Sequence, residues 1–240
     1  MNTPPGSNRL LSALSPSVRS GLLKQAKAVE LPLHAVLVEQ METPRYAYFL
    51  LTGLVSVVTA RPNGEAAEVC FVGVEGMVGA LQMLGPASLP VRYVMQLAGS
   101  ALRVPFQDAR NTFEHSSEFR QALLEFIQEE TAIMAQISGC NRLHNAEQRL
   151  IRWLLMAQDR VGKDTLQFTQ EYLAEMIATQ RTTVTLTAGS LQERGLIRYS
   201  RGNIRIVDRP GMEAAACICY GTIKELLDGL YKRQATAALA

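Results

Sequence analysis

Apolar and polar positions alternate over short stretches in the first half of the chain and recur every three or four residues in most of the second half. Between Val29 and Val104 the β-prone stretches are separated by Gly, Pro and Asn turns, including an Asn63-Gly64 pair suited to positive φ. Many short strands at regular spacing predict a small antiparallel barrel or roll of about eight strands. Two short helices are predicted before it, the second capped by Ser15 and Pro16.

A helical stripe begins where the strand pattern ends. Ser116 or Ser117 caps a helix that is predicted to continue to about Cys140, with Glu118 in its first turn. Its apolar face has 3-4 spacing and consists of Leu123, Phe126, Glu130, Ile133 and Ile137. A seam of this kind either packs inside its own chain or joins two copies, and the pattern leaves both open. The segment Asn145-Ala-Glu-Gln148 resembles a capping box that opens the next helix.

Two short helices and a hairpin are predicted after residue 168. Thr169 caps the first helix, and the second begins at Arg181 and ends at Gly195. Strands on either side of Arg201-Gly202-Asn203 complete a winged helix-turn-helix pattern. The small polar edge of the second helix fits a major groove, and its predicted base-reading residues are Gln180, Arg181, Thr182, Thr183 and Thr185. Thr179 and Arg201 are predicted to contact phosphates. The alternative is a helical hairpin used for protein packing.

The charge distribution favours the nucleic-acid interpretation. The chain of 240 residues has a net charge of only +2, but residues 178–209 contain six arginines against Glu193 and Asp208. The length suggests two compact units, and 48% hydrophobic residues argue for a folded chain. No apolar run approaches the ~20 residues of a membrane span, and the N-terminus lacks the features of a secretory signal. A cytoplasmic protein is therefore expected.

The sequence gives little support for a disulfide framework, an iron–sulfur cluster, a metal site or an enzyme active site. Four scattered cysteines predict reduced thiols, and no N-terminal cysteine cluster is available for an iron–sulfur sensor. Cys217 and Cys219 fall in a helical pattern predicted from about Gly211 to Arg233, where positions i and i+2 do not share a face. A metal role would need other ligands, so no metal site is predicted. No catalytic motif is present and no enzyme is expected. The helix after Pro210 is expected to pack on the winged unit or on a second copy.

The motifs resemble those of a known family. Arg181-Thr-Thr-Val184 and Gly195-Leu-Ile197 are similar to an Arg-x-Thr-Val recognition helix and a Gly-Leu-Ile wing entry, and Tyr48 to Val55 resembles a Tyr-x-Leu-x-x-Gly-x-Val barrel strand. Over roughly residues 8–209 the chain resembles the cyclic-AMP receptor / fumarate-nitrate regulator (Crp/Fnr) superfamily of bacterial transcription factors. The resemblance implies a homodimer joined along the helix at 117–140, reading two-fold related half-sites about one DNA turn apart. The predicted dimerisation residues are those of the apolar face, Leu123, Phe126, Glu130, Ile133 and Ile137.

This resemblance and the sequence pattern together predict an α+β fold with four segments. These are a β-roll sensor domain with short N-terminal helices at 1–115, a dimerisation helix at 116–142, a winged helix-turn-helix domain at 143–209, and a helical extension with a tail at 210–240. The predicted function is a homodimeric, sequence-specific transcriptional regulator that binds a pseudo-palindromic operator in double-stranded DNA. RNA polymerase is a further candidate partner, and no membrane is involved.

Departures from the family pattern affect two inferences. Family members often have Glu where this chain has Thr182 and Arg where it has Leu186, so their operator sequence is not transferable. Members that bind cyclic AMP have a Glu after the turn glycine and an Arg-Ser/Thr pair. Here Gly79 is followed by Ala80 and Arg92 by Tyr93, and each unsatisfied polar group of a buried ligand costs ~1–3 kcal/mol.

Cyclic AMP is therefore not expected as the effector. Gly79, Arg92 and Tyr93 remain candidate residues for another nucleotide or small molecule, and no cofactor is otherwise predicted. Two alternatives stay open. One is a sensor of the cyclic-nucleotide type that acts by protein contact, and the other is a constitutive DNA binder without an effector.

Overall fold

The computed structural model describes residues 6–60 and 66–232. The predicted Asn63-Gly64 turn and the last residues of the C-terminal tail lie outside this part of the chain. Two short helices come first, α1 (Arg9–Ser12) and α2 (Pro16–Leu22). The side chains of Asn8 and Ser15 cap them, as accepting N-cap residues do. No helix among the described residues is both long and apolar enough to cross a membrane.

The N-terminal strands form two antiparallel sheets that face each other as a β-roll. The strands are β1 (Lys27–Leu31), β2 (Val36–Val38), β3 (Tyr46–Leu50), β4 (Leu54–Ala60), β5 (Ala66–Val72), β6 (Arg92–Leu97) and β7 (Gly99–Pro105). One sheet has the order β1-β7-β3 and the other β2-β6-β4-β5. The predicted roll is confirmed, with seven strands among the described residues rather than about eight. Residues 73–79 pair with the roll through an isolated bridge between Tyr48 and Val78, and Met77 and Val78 are buried in its core.

The long helix lies directly after the roll. A helix α3 (Phe106–His115) precedes it, and α4 (Ser117–Leu143) begins where the Ser116 side chain accepts a hydrogen bond from the Phe119 N–H. The apolar stripe of α4 is buried in its own chain, with exposures of 0 to 7% for Leu123, Phe126, Glu130, Ile133 and Ile137. These five residues were predicted to contact a second copy, and that placement is corrected here because the roll and the C-terminal helices already cover them.

The opposite edge of α4 is exposed and also has heptad spacing. Its members follow one another at intervals of three and four residues: Gln121, Leu124, Gln128, Thr131, Ala135, Ser138 and Arg142. Leu124, with 43% of its surface exposed, is the large apolar side chain on this edge. This edge is open to a contact with a second copy.

The second unit contains the predicted helix-turn-helix. The helix α5 (Ala146–Val161) starts with the predicted capping box between Asn145 and Gln148. It is followed by β8 (Thr165–Gln167), α6 (Gln170–Met176), α7 (Arg181–Glu193), β9 (Ile197–Ser200) and β10 (Asn203–Ile206). The three strands form a sheet of order β8-β10-β9, so the predicted hairpin has an additional short strand on one side. The strand β8 was not predicted from the sequence.

Buried contacts join this unit to the β-roll. The indole Nε1 of Trp153 on α5 donates a hydrogen bond of 2.7 Å to Glu68 Oε1 on β5. Glu68 also accepts a short hydrogen bond from Ser56 Oγ, which lies 3.1 Å from the Tyr172 hydroxyl on α6. A buried ion pair of 2.7 Å joins Arg160 on α5 to Glu75 in the loop after β5. The helix-turn-helix unit is therefore docked on the roll of its own chain through polar contacts.

The C-terminal extension forms two helices instead of the single predicted helix. These are α8 (Arg209–Ala215) and α9 (Ile218–Gly229), separated by extended backbone at Ala216 and Cys217. The break lets α9 turn back onto α4 and α5. Beyond α9, the hydroxyl of Tyr231 donates to the Glu75 carbonyl. The extension thus reaches from the winged unit to the β-roll of the same chain.

Candidate nucleic-acid interface

The turn between α6 and α7 is fixed by local hydrogen bonds. The Thr169 hydroxyl accepts from the Tyr172 N–H at 3.1 Å and so begins α6 as predicted. Ala178 adopts φ 50°, and the next N–H, of Thr179, donates to the Ala174 carbonyl at 2.9 Å. Val184, Ala188 and Leu191 anchor α7 in the core. Burial of this face leaves the opposite face of α7 directed away from the protein.

The exposed face of α7 is the small polar edge that the sequence predicted. Gln180, Arg181, Thr182 and Thr185 are exposed, and Thr179 and Thr183 are half-buried. No part of the described chain covers this edge. Leu186 on the same side has 76% of its surface exposed. The structure thus places the predicted base-reading residues at the start of α7, four of them exposed and Thr183 half-buried.

The wing lies beside this face across an open cleft. The cleft has a volume of about 530 Å³, and its lining includes Arg181 of α7, Tyr199 of β9 and Arg201 in the turn of the wing. Arg201 lies in the turn of the hairpin with φ 49°, and its side chain is exposed. The two predicted contact residues Arg181 and Arg201 therefore belong to one concave surface.

The arginines of residues 178–209 divide into two groups. Arg194 pairs with Glu147 at 2.7 Å, and Arg209 is held by Asp159 and Glu213. Within the described part of the chain, no carboxylate pairs with the other four, which are Arg181, Arg198, Arg201 and Arg205. Arg181 and Arg201 line the cleft, while Arg198 and Arg205 are exposed on the outer face of the wing. Exposed arginines without a carboxylate partner fit a polyanionic ligand.

Two of these arginines were not among the predicted contact residues. Arg198 and Arg205 lie directly opposite each other in the antiparallel pair of β9 and β10. Like charges at opposed positions destabilise a sheet, and an anion bound between them removes that cost. Their alternation with buried Ile197, Ile204 and Ile206 was the signal in the sequence that places them on the outer face.

The three predicted effector residues of the β-roll lie in different environments. Gly79 adopts φ 91°, a conformation that suits glycine. Tyr93 is 3% exposed, and its hydroxyl donates to Gln82 Oε1 at 3.4 Å, so its side chain fills the interior of the roll. Arg92 is half-buried, and no hydrogen-bond partner is found among the described residues for its buried Nε. Between β5 and α4 a cavity of about 10 Å³ remains, which is room for about one water.

Two acidic residues that the sequence analysis did not single out as titrating groups lie in the core nearby. Burial raises the pKa of Glu68 to about 7, and the hydrogen bonds from Ser56 and Trp153 and the charges of Arg152 and Arg160 oppose that shift. Burial likewise raises the pKa of Glu130 to about 7, against a hydrogen bond from the Cys70 thiol. Both carboxyl groups therefore titrate near neutral pH in the folded chain.

The structure corrects the argument against a metal site. Four candidate donor atoms lie within 4.8 Å of one another, from Cys140, His144, Cys217 and Cys219. No metal site was predicted, because Cys217 and Cys219 were placed in one helix, where they would not share a face. In the structure Cys217 precedes α9 in an extended conformation, and only Cys219 lies in the helix.

Comparisons with known proteins agree with this organisation. Residues 28–116 match the model of the cyclic nucleotide-binding domain, and residues 148–215 match that of the Crp-like helix-turn-helix domain. No curated protein sequence matches the chain.

Several solved structures have the same fold. FixK2 from Bradyrhizobium japonicum has a TM-score of 0.69 at 14% identity, over 80% of this chain and 98% of that one. The c-di-GMP responsive regulator CLP of Xanthomonas campestris has a TM-score of 0.67 at 12% identity, over 81% and 100%. A CRP/FNR-family transcriptional regulator from Thermus thermophilus has a TM-score of 0.65 at 22% identity, over 79% and 98%. At these identities the structural likeness establishes the fold alone.

The family assignment follows from the matches to two family models, which occur one after the other along the chain, and from the geometry of the winged unit. The models cover more than half of the chain, in the order sensor domain and then DNA-binding domain. The chain belongs to the Crp/Fnr family of transcriptional regulators, with an N-terminal cyclic nucleotide-binding domain and a C-terminal Crp-like helix-turn-helix domain.

Proposed function

We propose that this chain is a homodimeric, sequence-specific DNA-binding regulator that reads its operator with α7 and holds the backbone with its wing. One observation carries the proposal: the polar edge of α7, which includes Arg181, is exposed beside a wing with Arg198, Arg201 and Arg205, and none of these four arginines has a carboxylate partner among the described residues. A recognition helix needs such an edge to enter a major groove ~12 Å wide.

The positions of the side chains suggest their roles. Gln180, Arg181, Thr182 and Thr185 are exposed on the leading turns of α7, with Thr183 half-buried beside them, so this set reads bases. Arg181 is the side chain suited to a bidentate contact with guanine. Arg201 at the wing tip and Thr179 before α7 bind phosphates, and the opposed Arg198 and Arg205 add phosphate contacts.

Two variants distinguish base contacts from phosphate contacts. We expect Arg181→Ala to reduce discrimination at one base pair by ~1–3 kcal/mol, because a base contact distinguishes sequences. We expect Arg201→Ala to weaken binding to all sequences alike and to lower the salt slope by about one, because a phosphate contact releases a counterion. The measurement is fluorescence anisotropy with duplexes selected from random DNA, titrated at several salt concentrations.

Arg19→Ala on the exposed side of α2 is the matched control and should leave both quantities unchanged. Equal losses on every sequence for Arg181→Ala and Arg201→Ala would contradict the division of roles. Unchanged binding in both variants would contradict the interface itself.

A second copy would contact the exposed edge of α4. This edge combines heptad spacing, the exposed Leu124 and the small residues Thr131, Ala135 and Ser138, which allow close approach of two helices. Two-fold pairing there would present two copies of α7 to half-sites related by the same symmetry.

Leu124→Glu tests this pairing. A charge within a helix seam is desolvated without a partner, so we expect the variant to sediment as a monomer at concentrations where the native chain is dimeric. Leu33→Glu is the matched control, since Leu33 is 45% exposed on the β-roll and Leu124 is 43% exposed. Equal sedimentation of Leu124→Glu and the native chain would exclude this edge as the interface.

The proposed effector is not cyclic AMP. Ala80 stands where binding members have a carboxylate, and the buried Tyr93 replaces the small hydroxyl residue and fills the interior. The expected result of a thermal-shift titration with cyclic AMP is no change in Tm, and a saturable rise in Tm would contradict this part of the proposal.

A further inference from the structure

Four side chains of metal-ligating type meet at the junction of the long helix with the C-terminal extension. Cys140 and His144 are one helical turn apart at the end of α4, and Cys217 and Cys219 flank the start of α9. The three cysteines are 0 to 5% exposed. All four residues lie outside the range 28–116 of the sensor-domain model, and none lies within 148–215. The cluster is thus a feature of this chain's own hinge and extension.

Two of the six distances between donor atoms match the edges of a tetrahedral site, and all six are within 4.8 Å. The Cys140 and Cys217 sulfurs are 3.6 Å apart, and the Cys219 sulfur is 3.6 Å from His144 Nδ1. Bonds of ~2.3 Å to sulfur and ~2.0–2.1 Å to nitrogen give tetrahedral edges of about 3.8 Å between sulfurs and about 3.6 Å between sulfur and nitrogen. An iron–sulfur cluster distributes its thiolates over several irons and needs a wider set of donors.

The surroundings of the cluster supply what a thiolate-rich ion requires. The amide of Gln136 donates to the Cys219 sulfur at 3.1 Å, an outer contact that orients a ligand. Arg152 is completely buried within electrostatic range of Cys140, and its Nε and Nη2 have no hydrogen-bond partner among the described residues. A divalent ion with three thiolates and a neutral imidazole carries one net negative charge, which the buried guanidinium neutralises.

We propose that Cys140, His144, Cys217 and Cys219 bind one Zn²⁺ ion in a structural Cys₃His site. Three thiols lose their protons to solvent as the Zn–S bonds form, and His144 binds through the neutral imidazole, so the step involves no electron transfer. Four protein ligands close the coordination sphere, as in a structural rather than a catalytic zinc site. The ion ties α9 to the end of α4, at the point where the chain turns into α5 of the DNA-binding unit.

Metal content and cobalt exchange test the proposal on the full-length chain, purified under reducing conditions without a polyhistidine tag. We expect about one zinc per chain by elemental analysis, in the native protein and in the Cys70→Ser control. Cys70 is also buried but lies away from the cluster. Cys219→Ser and His144→Ala are expected to lose at least about nine-tenths of the zinc, because each removes one of four ligands.

Cobalt spectroscopy of the native chain does not depend on the folding of any variant. After removal of zinc by a chelator, Co²⁺ should produce sulfur-to-cobalt charge-transfer absorption and the intense visible bands of a tetrahedral site, and added Zn²⁺ should abolish both. Absence of bound metal together with a six-coordinate cobalt spectrum would overturn the proposal. So would a Cys140–Cys217 disulfide in protein kept reduced, or stoichiometric iron and sulfide.

Discussion

Arg160→Ala is expected to lower the free energy of unfolding by about 3–5 kcal/mol, which is a large part of the stability of an ordinary domain. The guanidinium of Arg160 binds Glu75 at 2.7 Å with both side chains 4% exposed or less, and it stacks over the Phe71 ring at 4.5 Å. Truncation leaves the Glu75 carboxylate buried with only the Gly73 N–H as a partner among the described residues. An uncompensated buried charge is the costliest consequence of breaking such a pair.

Chemical denaturation followed by the fluorescence of Trp153, the single tryptophan of the chain, measures this loss, since that indole lies between α5 and the β-roll. Arg194→Ala is the control, because it breaks an ion pair of the same 2.7 Å length whose side chains are 47% and 33% exposed. Exposed pairs contribute ~0–1 kcal/mol.

The double variant Arg160→Met with Glu75→Gln should recover part of the stability. Equal losses for Arg160→Ala and Arg194→Ala would show that burial does not determine the energy of the Glu75 pair.

The helices and strands of this chain were predicted from the sequence more accurately than the contacts between them. Caps and turns are local signals, so Asn145, Thr169 and Gly195 identified helix limits that the structure reproduces within a residue or two. The winged helix-turn-helix was predictable for the same reason, since its helices and hairpin are consecutive. The partner of a periodic stripe is a long-range property. The seam at 123–137 has coiled-coil spacing, and its burial depends on helices that the pattern did not place against it.

Of the two candidate sites, one depends on local sequence and could be predicted, and the other depends on long-range contacts and could not. The exposed edge of α7 was predictable because a short helix with one apolar side has to present its other side to solvent. The four-residue cluster was not, because its members lie up to 79 positions apart and depend on a break in the predicted helix at Ala216 and Cys217. Nothing in the local pattern marks that break. The raised pKa values of Glu68 and Glu130 could not be predicted from the sequence either, since burial of a carboxyl group follows from tertiary packing.

The buried carboxyl group of Glu68 predicts a pH-dependent stability. Glu68 is surrounded by Ser56 of β4, by Trp153, Arg152 and Arg160 of α5, and through Ser56 by Tyr172 of α6. Its pKa rises from an ordinary value of 4.5 to about 7, mainly through burial. Between pH 4.5 and 7 the folded chain holds a proton that the unfolded chain has released. Rising pH therefore lowers the free energy of unfolding across this window and has no further effect through Glu68 above it.

Glu68→Gln should remove this dependence, because the amide matches the protonated carboxyl in shape and charge while still accepting from Trp153. One pKa unit corresponds to about 1.36 kcal/mol, so the variant is expected to be more stable than the native chain by about 3 kcal/mol at about pH 8 and nearly equal to it at about pH 5. Denaturation midpoints at both pH values measure the difference. Glu30→Gln on the exposed strand β1 is the control and should be neutral at both. A variant destabilised at the higher pH would mean that Glu68 is charged in the native chain and that its carboxylate holds the DNA-binding unit on the roll.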